Sequence, residues 1–398
     1  MTPLGNTPQS FFMNALLGKN CIHRIEKFDV RAFPVRIGGE IIFDSVEKET
    51  ISSLTDMPTV AKWSVVAARK AIADAGLELK NQDPFSIDVV LGSSISSLDG
   101  IDHTLLESNS SGMKHARGTA VIYANPSVAA VQVSRDLGVY GEVANVSTAC
   151  SSTTSAIGYA ARLIQAGHST CVLTGGAEES VCPLFMGALG NGGHLSKQND
   201  EPESASRPFD RNRDGYVLSD AACIFVIEEY ESAFKRGARM YCEVAGFGGS
   251  SDATTPFKFS KSEVPSARCL ERALSSGFRK PEDVDYYCAV ALSMQWMDVR
   301  ETRMLKRVFR KQAKRLAISS IKSMMGHPLG ASGAVQAATC AMAIRNGAVP
   351  PTTNYDEPDP ECDLDYVPNE ARELKVRNAL LYTIGNGGTN AALLLSAC

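Results

Sequence analysis

Asn145-Val146-Ser147-Thr148-Ala149-Cys150-Ser151-Ser152-Thr153-Thr154-Ser155 is the stretch from which the rest of the chain can be read. A β-branched run, uncharged after Glu142, leads into Cys150, and a small-residue run over 151–166 leads away from it. The pattern predicts a strand, a sharp turn and a helix, with Cys150 at the helix N-terminus. Unpaired N–H groups and the helix dipole at such a place favour thiolate over thiol. Ala149, Ser151 and Ser152 are small enough to leave room for a bulky acyl group. A buried structural thiol fits the same spacing, because free cysteine packs like a small hydrophobe.

The chain outside this turn limits the choices. Its 398 residues suit two fused domains. Apolar residues make up 44%, charged residues 21%, and the net charge is −4, as in a globular protein without a basic surface for nucleic acid. No uninterrupted apolar run reaches membrane-spanning length, and 1–6 lack the charged-then-apolar pattern of a signal peptide. Eleven scattered cysteines without a Cys-x-x-Cys pair suggest neither a zinc site nor a disulfide framework, and reduced thiols in a cytoplasm fit best.

Strand-like runs at 88–93, 142–148, 170–175, 222–228, 241–246, 286–292, 316–321, 380–384 and 391–395 alternate with helical runs at 61–75, 127–137, 151–166, 266–276, 299–312 and 331–346. Gly76, Gly138, Gly167, Gly277 and Gly347 stand where helices end. Such alternation predicts α/β layers around largely parallel, doubly covered strands. There is an internal echo. Thr148-Ala149-Cys150-Ser151-Ser152 in one half answers Met325-Gly326-His327 followed by Gly330-Ala331-Ser332-Gly333-Ala334 in the other. Two copies of one βα unit, 1–238 and 239–398, would bring both helix starts to a shared centre.

Several motifs in order complete the pattern. They are Val146-Ser147-Thr148-Ala149-Cys150, Gly175-Gly176-Ala177-Glu178, Ser206-Arg207-Pro208-Phe209-Asp210 with Arg213-Asp214-Gly215-Tyr216-Val217, Gly246-Phe247-Gly248, Lys322-Ser323-Met324-Met325-Gly326-His327, and Gly385-Asn386-Gly387-Gly388-Thr389-Asn390. Over nearly its whole length the chain resembles the β-ketoacyl-acyl-carrier-protein synthases of the type II kind, thiolase-like condensing enzymes of fatty-acid and polyketide biosynthesis. The resemblance implies a thiolase-like fold of two similar α/β halves in five layers (α-β-α-β-α), usually dimeric. It implies acyl transfer from an acyl carrier protein to a cysteine, then decarboxylative condensation with a malonyl unit, assisted by two histidines. Phosphopantetheine belongs to the carrier, so the chain itself needs no cofactor and no metal. On this pattern Cys150 is the nucleophile, His327 the second histidine and Lys322 its charged neighbour. The N–H groups of Cys150 and of Gly385, Asn386, Gly387 and Gly388 would hold the oxyanion.

The sequence also departs from the family. Where the family has its first histidine, after the second-half strand, this chain has Val290, and the two threonines that hold pantetheine become Leu292 and Met294. A glutamate that balances the lysine becomes Gln336, and both phenylalanines of the gating loop are missing around Ile384-Gly385-Asn386. Basic carrier-docking residues are absent at 55–59, although Lys197 stands where an arginine is usual. The basic run Arg300, Arg303, Lys306, Arg307, Arg310, Lys311, Lys314, Arg315 reads as a solvated helix face or a carrier contact. The family's first strand has no counterpart before 1–7, so the start lies upstream or another segment fills the gap. Acyl transfer to Cys150 then survives while malonyl decarboxylation is impaired. The alternative is a chain-length-factor-like partner of an intact ketosynthase. In either case a homodimer or heterodimer forms through the strand at 142–148, and 117–126, with Tyr123, lines the mate's acyl tunnel.

Overall fold

The computed structural model describes the whole chain except residues 56, 96, 97, 99–111, 113, 115–117 and 257. Two mixed sheets hold it together. The first consists of β1 (Ile87–Gly92), β2 (Val143–Val146), β3 (Cys171–Glu178) and β4 (Ala221–Glu228), in the order β2-β1-β3-β4. The second consists of β5 (Glu243–Ser251), β6 (Tyr286–Cys288), β7 (Ala317–Ser319), β8 (Asn378–Gly385) and β9 (Thr389–Ser396), in the order β5-β9-β8-β6-β7. β1 is parallel to β2 and β3, and β6 to β7 and β8, while β4 and β9 run antiparallel to their neighbours. The two orders superpose strand for strand until β5, which has no counterpart among the described strands of the first sheet.

Helices α1 (Thr59–Ala75) and α2 (Val128–Leu137) cover the outer face of the first sheet. Helix α4 (Val264–Ser276) packs on the outer face of the second sheet with α5 (Gln295–Phe309) against it, and α3 (Ser152–Gln165) and α6 (Ser332–Asn346) lie between the sheets. These are the five layers expected, built from two similar halves. The central strands are buried along their whole length, which explains why they read as unbroken apolar runs rather than alternating ones.

The two middle helices meet at their first turns. Thr153 Oγ1 donates to the Gly330 carbonyl and accepts from Ala334 N–H, at 2.7 and 2.9 Å. The shared centre expected from the internal echo is therefore present.

Three local expectations are corrected. The strand expected over 286–292 stops at Cys288, because carboxylates of α5 replace the ladder. Glu301 accepts from the N–H groups of Val290 and Ala291 (2.9 and 2.8 Å), and Asp298 accepts from Leu292 (3.0 Å). Gly76, Gly138 and Gly347 do terminate helices in the left-handed conformation, but Gly277 does not, and Phe278 takes that role at φ 52°. The segment before the helix Pro8–Leu16 crosses the end of β4 but covers one residue of its edge. Met1 and Ala222 exchange both backbone hydrogen bonds, at 2.7 and 2.9 Å.

Candidate active site

β2 delivers the chain to Cys150 through a strained turn. Ala149 has φ 53°, a left-handed conformation that a non-glycine residue adopts at a cost of roughly 1–3 kcal/mol, and such strain clusters at functional sites. Surrounding hydroxyls fix it. Ser151 Oγ donates to the Thr148 carbonyl (2.7 Å), Ser152 Oγ to the Ala149 carbonyl (2.6 Å), and Thr389 Oγ1 at the start of β9 to the Thr148 carbonyl (2.9 Å). Gly385 closes against the same turn, where a Cβ would lie 2.4 Å from the Thr148 oxygen, so no larger residue fits.

The expectation of a thiolate is not met. The N–H groups of Ser151 and Ser152, the first at the helix start, are already taken by the carbonyls of Thr148 and Ala149. Burial pushes the Cys150 thiol up to about 12, Glu178 pushes the same way, and Lys322 opposes them. Alkylation of Cys150 by iodoacetamide, followed on its own peptide by mass spectrometry, is therefore expected to rise about tenfold per pH unit between about pH 7 and 10. A rate already at plateau near neutral pH would reveal a stabilised thiolate and contradict this.

His327 and Lys322 join Cys150 from the second half. Gly326, at φ 84°, makes the bend that lets the backbone of His327 bridge Leu218, with His327 N–H donating to the Val217 carbonyl at 2.7 Å. Burial, with Lys322 second, holds the imidazole well below its usual 6.5, so it is neutral at working pH. Its buried Nδ1 meets no partner among the described residues. Lys322 is buried and drawn down to about 8 by desolvation, against the pull of Cys288, Glu301 and Cys150.

Gln336 is more than a lost carboxylate. Its Nε2 donates to the carbonyls of Cys288, Ala289 and Tyr382 (2.9, 3.1 and 3.2 Å), while its Oε1 accepts from Lys322 Nζ at 3.5 Å and from Ser332 Oγ at 3.2 Å. One amide thus ties β6, β8 and α6 to the lysine. Gln336→Met removes all of these bonds inside the core and is expected to lower stability by about 2–3 kcal/mol in chemical denaturation. Unchanged stability would show that the amide network contributes nothing.

The other sequence-derived residues fall as follows. Val290 and Leu292 are buried in the outer core of the second half, with Met294 packed against it. Asn386, Gly387 and Gly388 form the β8–β9 turn. Gly388 N–H is spent on the Gly385 carbonyl (2.9 Å), which removes it as an oxyanion donor, whereas the N–H groups of Asn386 and Gly387 find no acceptor among the described residues. Tyr123 ends the short helix Ala120–Tyr123 and shares no described contact with Cys150, Lys322 or His327. Residues 56 and 117, within two of the stretches expected to dock or line a partner, lie outside the described residues. Four of the eight residues of the basic run, those on α5, are paired within the chain, Arg300 with Asp252, Arg303 with Glu361, Lys306 with Asp363 and Arg307 with Glu263.

Two residues of the site carried motifs without an assigned role. Tyr216 stands edge-on to His327, ring centroids 5.4 Å apart, and shares a cluster with Cys150. Glu178, raised to about 7 by burial, accepts from Ser94 N–H at 2.6 Å, and its carboxylate leaves no room for a side chain at Gly330.

Comparison with known proteins identifies the family. The profile described as β-ketoacyl synthase, N-terminal domain, matches residues 1–233, and that of the C-terminal domain matches 241–356. The chain belongs to the β-ketoacyl synthase family. It is 36% identical over 397 residues to 3-oxoacyl-[acyl-carrier-protein] synthase 2 of Coxiella burnetii, covering 100% of this chain and 96% of that one. It is 35% identical over 401 residues to the ketoacyl synthase alpha subunit of the tetracenomycin polyketide synthase of Streptomyces glaucescens, covering 99% and 94%. Among solved structures, a type II polyketide synthase acyl-carrier protein in complex with its ketosynthase, bound to a hexaketide, aligns with TM-score 0.93 at 28% identity, covering 100% and 97%. The ishigamide ketosynthase/chain length factor aligns at 0.92 and 28%, covering 100% and 96%. This β-ketoacyl synthase is thus a ketosynthase of the fatty-acid or polyketide type, with a thiolase-like fold. No helix among its described residues is long and apolar enough to cross a membrane.

Proposed function

We propose that this ketosynthase takes an acyl group from an acyl carrier protein onto Cys150 and hands it on, with malonyl decarboxylation impaired. The observation that carries this reading is the contrast between the retained acylation residues and the position where the family has its first histidine. Lys322 acts on both Cys150 and His327, and Tyr216 packs with both, while two residues beyond the end of β6 stands Val290, an isopropyl group buried in the core of the second half with its backbone tied to Glu301. The Cys150 thiol attacks the thioester carbonyl of the incoming chain and its proton passes to neutral His327. The oxyanion rests on the N–H groups of Cys150, Asn386 and Gly387, and the departing pantetheine sulfur takes the proton back as the new thioester forms. Decarboxylation needs a second donor at the malonyl carbonyl, and valine supplies none. The onward acceptor is a carrier thiol, an amine or an alcohol.

Intact-protein mass spectrometry after incubation with acyl-loaded carrier proteins of short, medium and long chain tests the first half of this. One acyl mass on the wild type and none on Cys150→Ala is the expected result, and no adduct with any chain length would overturn it.

A second reading has its own support. The edge strand β2 is half-buried along its length, and Val121 and Ile122 of the helix Ala120–Tyr123 are 81% and 61% exposed in the isolated chain. An apolar edge of this kind fits a mate across a two-fold axis. With an intact ketosynthase as that mate, this chain is the chain-length-factor-like subunit.

A further inference from the structure

Arg300 opens the basic run, yet it does not lie on a solvated helix face. It is 6% exposed, and its Nη2 donates to both carboxylate oxygens of Asp252, at 3.2 and 3.0 Å. Its Nε reaches the Ser262 carbonyl at 3.4 Å. Asp252, the residue after β5, is buried as well. Its carboxylate also accepts from Ser260 N–H (3.0 Å) and from Asn390 Nδ2 (2.9 Å). Further hydrogen bonds of this kind are what make a buried ion pair tolerable, because both charges have left water.

The pair leads directly to the β8–β9 turn. The Gly388 carbonyl accepts from Asp252 N–H at 2.8 Å and from Asn390 Nδ2 at 3.0 Å. Gly388, at φ 76°, lies so close to Asp252 that an added Cβ would stand 2.2 Å from the Asp252 Cβ. The other end of the Asn390 amide is fixed too. Its Oδ1 accepts from the Tyr382 hydroxyl at 2.5 Å and from Ser266 Oγ at 3.0 Å. The turn that leaves the N–H groups of Asn386 and Gly387 without a described acceptor is thus held at its far corner by Asp252 and Asn390. Asp252 in turn is held by a cation of α5.

We propose that Arg300 is a positioning residue for acyl transfer. Through Asp252 it fixes the β8–β9 turn, so that the N–H groups of Asn386 and Gly387 meet the oxyanion. The proposal rests on the acyl-transfer reading of the site and adds the element that aims its donors. The expected effect is large, since a displacement of about 1 Å in a reacting geometry can cost about 10²-fold in rate.

Hydrogen exchange resolved at single amides and a single-turnover acylation assay test this together. In Arg300→Met the amides of Asp252 and Gly388 are expected to exchange about tenfold faster or more, while those of Leu381 and Leu393 in the body of the sheet keep their protection. Acylation of Cys150 by an acyl-loaded carrier protein is expected to fall about 10²-fold, with the half-saturating carrier concentration within about twofold of wild type. Alkylation of Cys150 by iodoacetamide develops no oxyanion and is expected to keep its wild-type rate. Arg300→Lys is expected to restore most of both readouts, because a single nitrogen of Arg300 makes both bonds to Asp252. Arg300→Met leaves a buried carboxylate without its cation, so the double variant Arg300→Met/Asp252→Asn, which buries neither charge, is measured beside it. It is expected to show the same loosened Gly388 amide and the same slow acylation. Unchanged exchange at 252 and 388 in whichever variant folds would overturn the proposal, as would acylation and alkylation slowed equally. A wild type that forms no acyl adduct would overturn this proposal together with the acyl-transfer reading. A wild type that acylates, beside variants that acylate as fast, would overturn this one alone.

Discussion

His327→Ala slows acylation of Cys150 by about 10²–10⁴-fold, the usual contribution of a positioned general base. The size follows from the state of the thiol. Burial and Glu178 hold it at about 12, so at neutral pH almost none is ionised and attack requires the proton to leave as the S–C bond forms. His327 is suited to receive it because burial and Lys322 keep the imidazole neutral far below its ordinary range. The sign of the pH dependence follows. A base with a lowered pKa stays unprotonated in mild acid, so wild-type acylation is expected to hold its rate through pH 6.5 and to fall only at still lower pH. A stopped-flow or quenched mass-spectrometric time course reads both effects. An acylation rate unchanged in His327→Ala, or one that halves near the ordinary histidine pKa, would contradict this assignment.

Val290→His restores only part of a synthase's malonyl decarboxylation, and the wild type releases carbon dioxide about 10²–10⁴ times more slowly than a two-histidine relative. Val290 is 2% exposed, and its N–H is held by Glu301, which also takes the Tyr287 hydroxyl at 2.8 Å. The backbone at 290 is therefore fixed, but the surroundings are not made for an imidazole. Leu292 and Met294 offer no hydroxyl to a pantetheine arm, and the carbonyls of Cys288 and Ala289 are already bonded to Gln336. The gain from histidine at 290 and from changes at 292 and 294 should be non-additive, because these residues act on one bound substrate. Full recovery by the single substitution would show that Val290 alone limits the reaction.

Much of this architecture is legible in the sequence because local signals and packing agree. The strand–turn–helix around Cys150 shows in its composition, and Gly76, Gly138 and Gly347 close helices where the pattern ends. Other features depend on partners far along the chain. The early end of β6 is set by Glu301 and Asp298, acceptors on the next helix that no reading of 286–292 contains. The high thiol pKa comes from enclosure and from Glu178, which outweigh a helix start whose first amides are spent inside the turn. Tyr216 lay in a motif, but its contact with His327 needs the return of the chain from the second half. The role of Gln336 was half visible. The lost charge could be read, whereas the three carbonyls it serves come from β6, the residue after it and β8.

The central claim is that this site acylates but does not elongate efficiently, and a single-turnover experiment on the wild type tests it most directly. Protein carrying an acyl thioester on Cys150 is mixed with malonyl-loaded carrier protein, and released carbon dioxide, Cys150 adduct and carrier-bound product are followed together. The account predicts that the adduct persists while carbon dioxide and β-ketoacyl-carrier stay near background. Loss of the adduct matched by β-ketoacyl-carrier and carbon dioxide, at the rate of a two-histidine synthase, would contradict it.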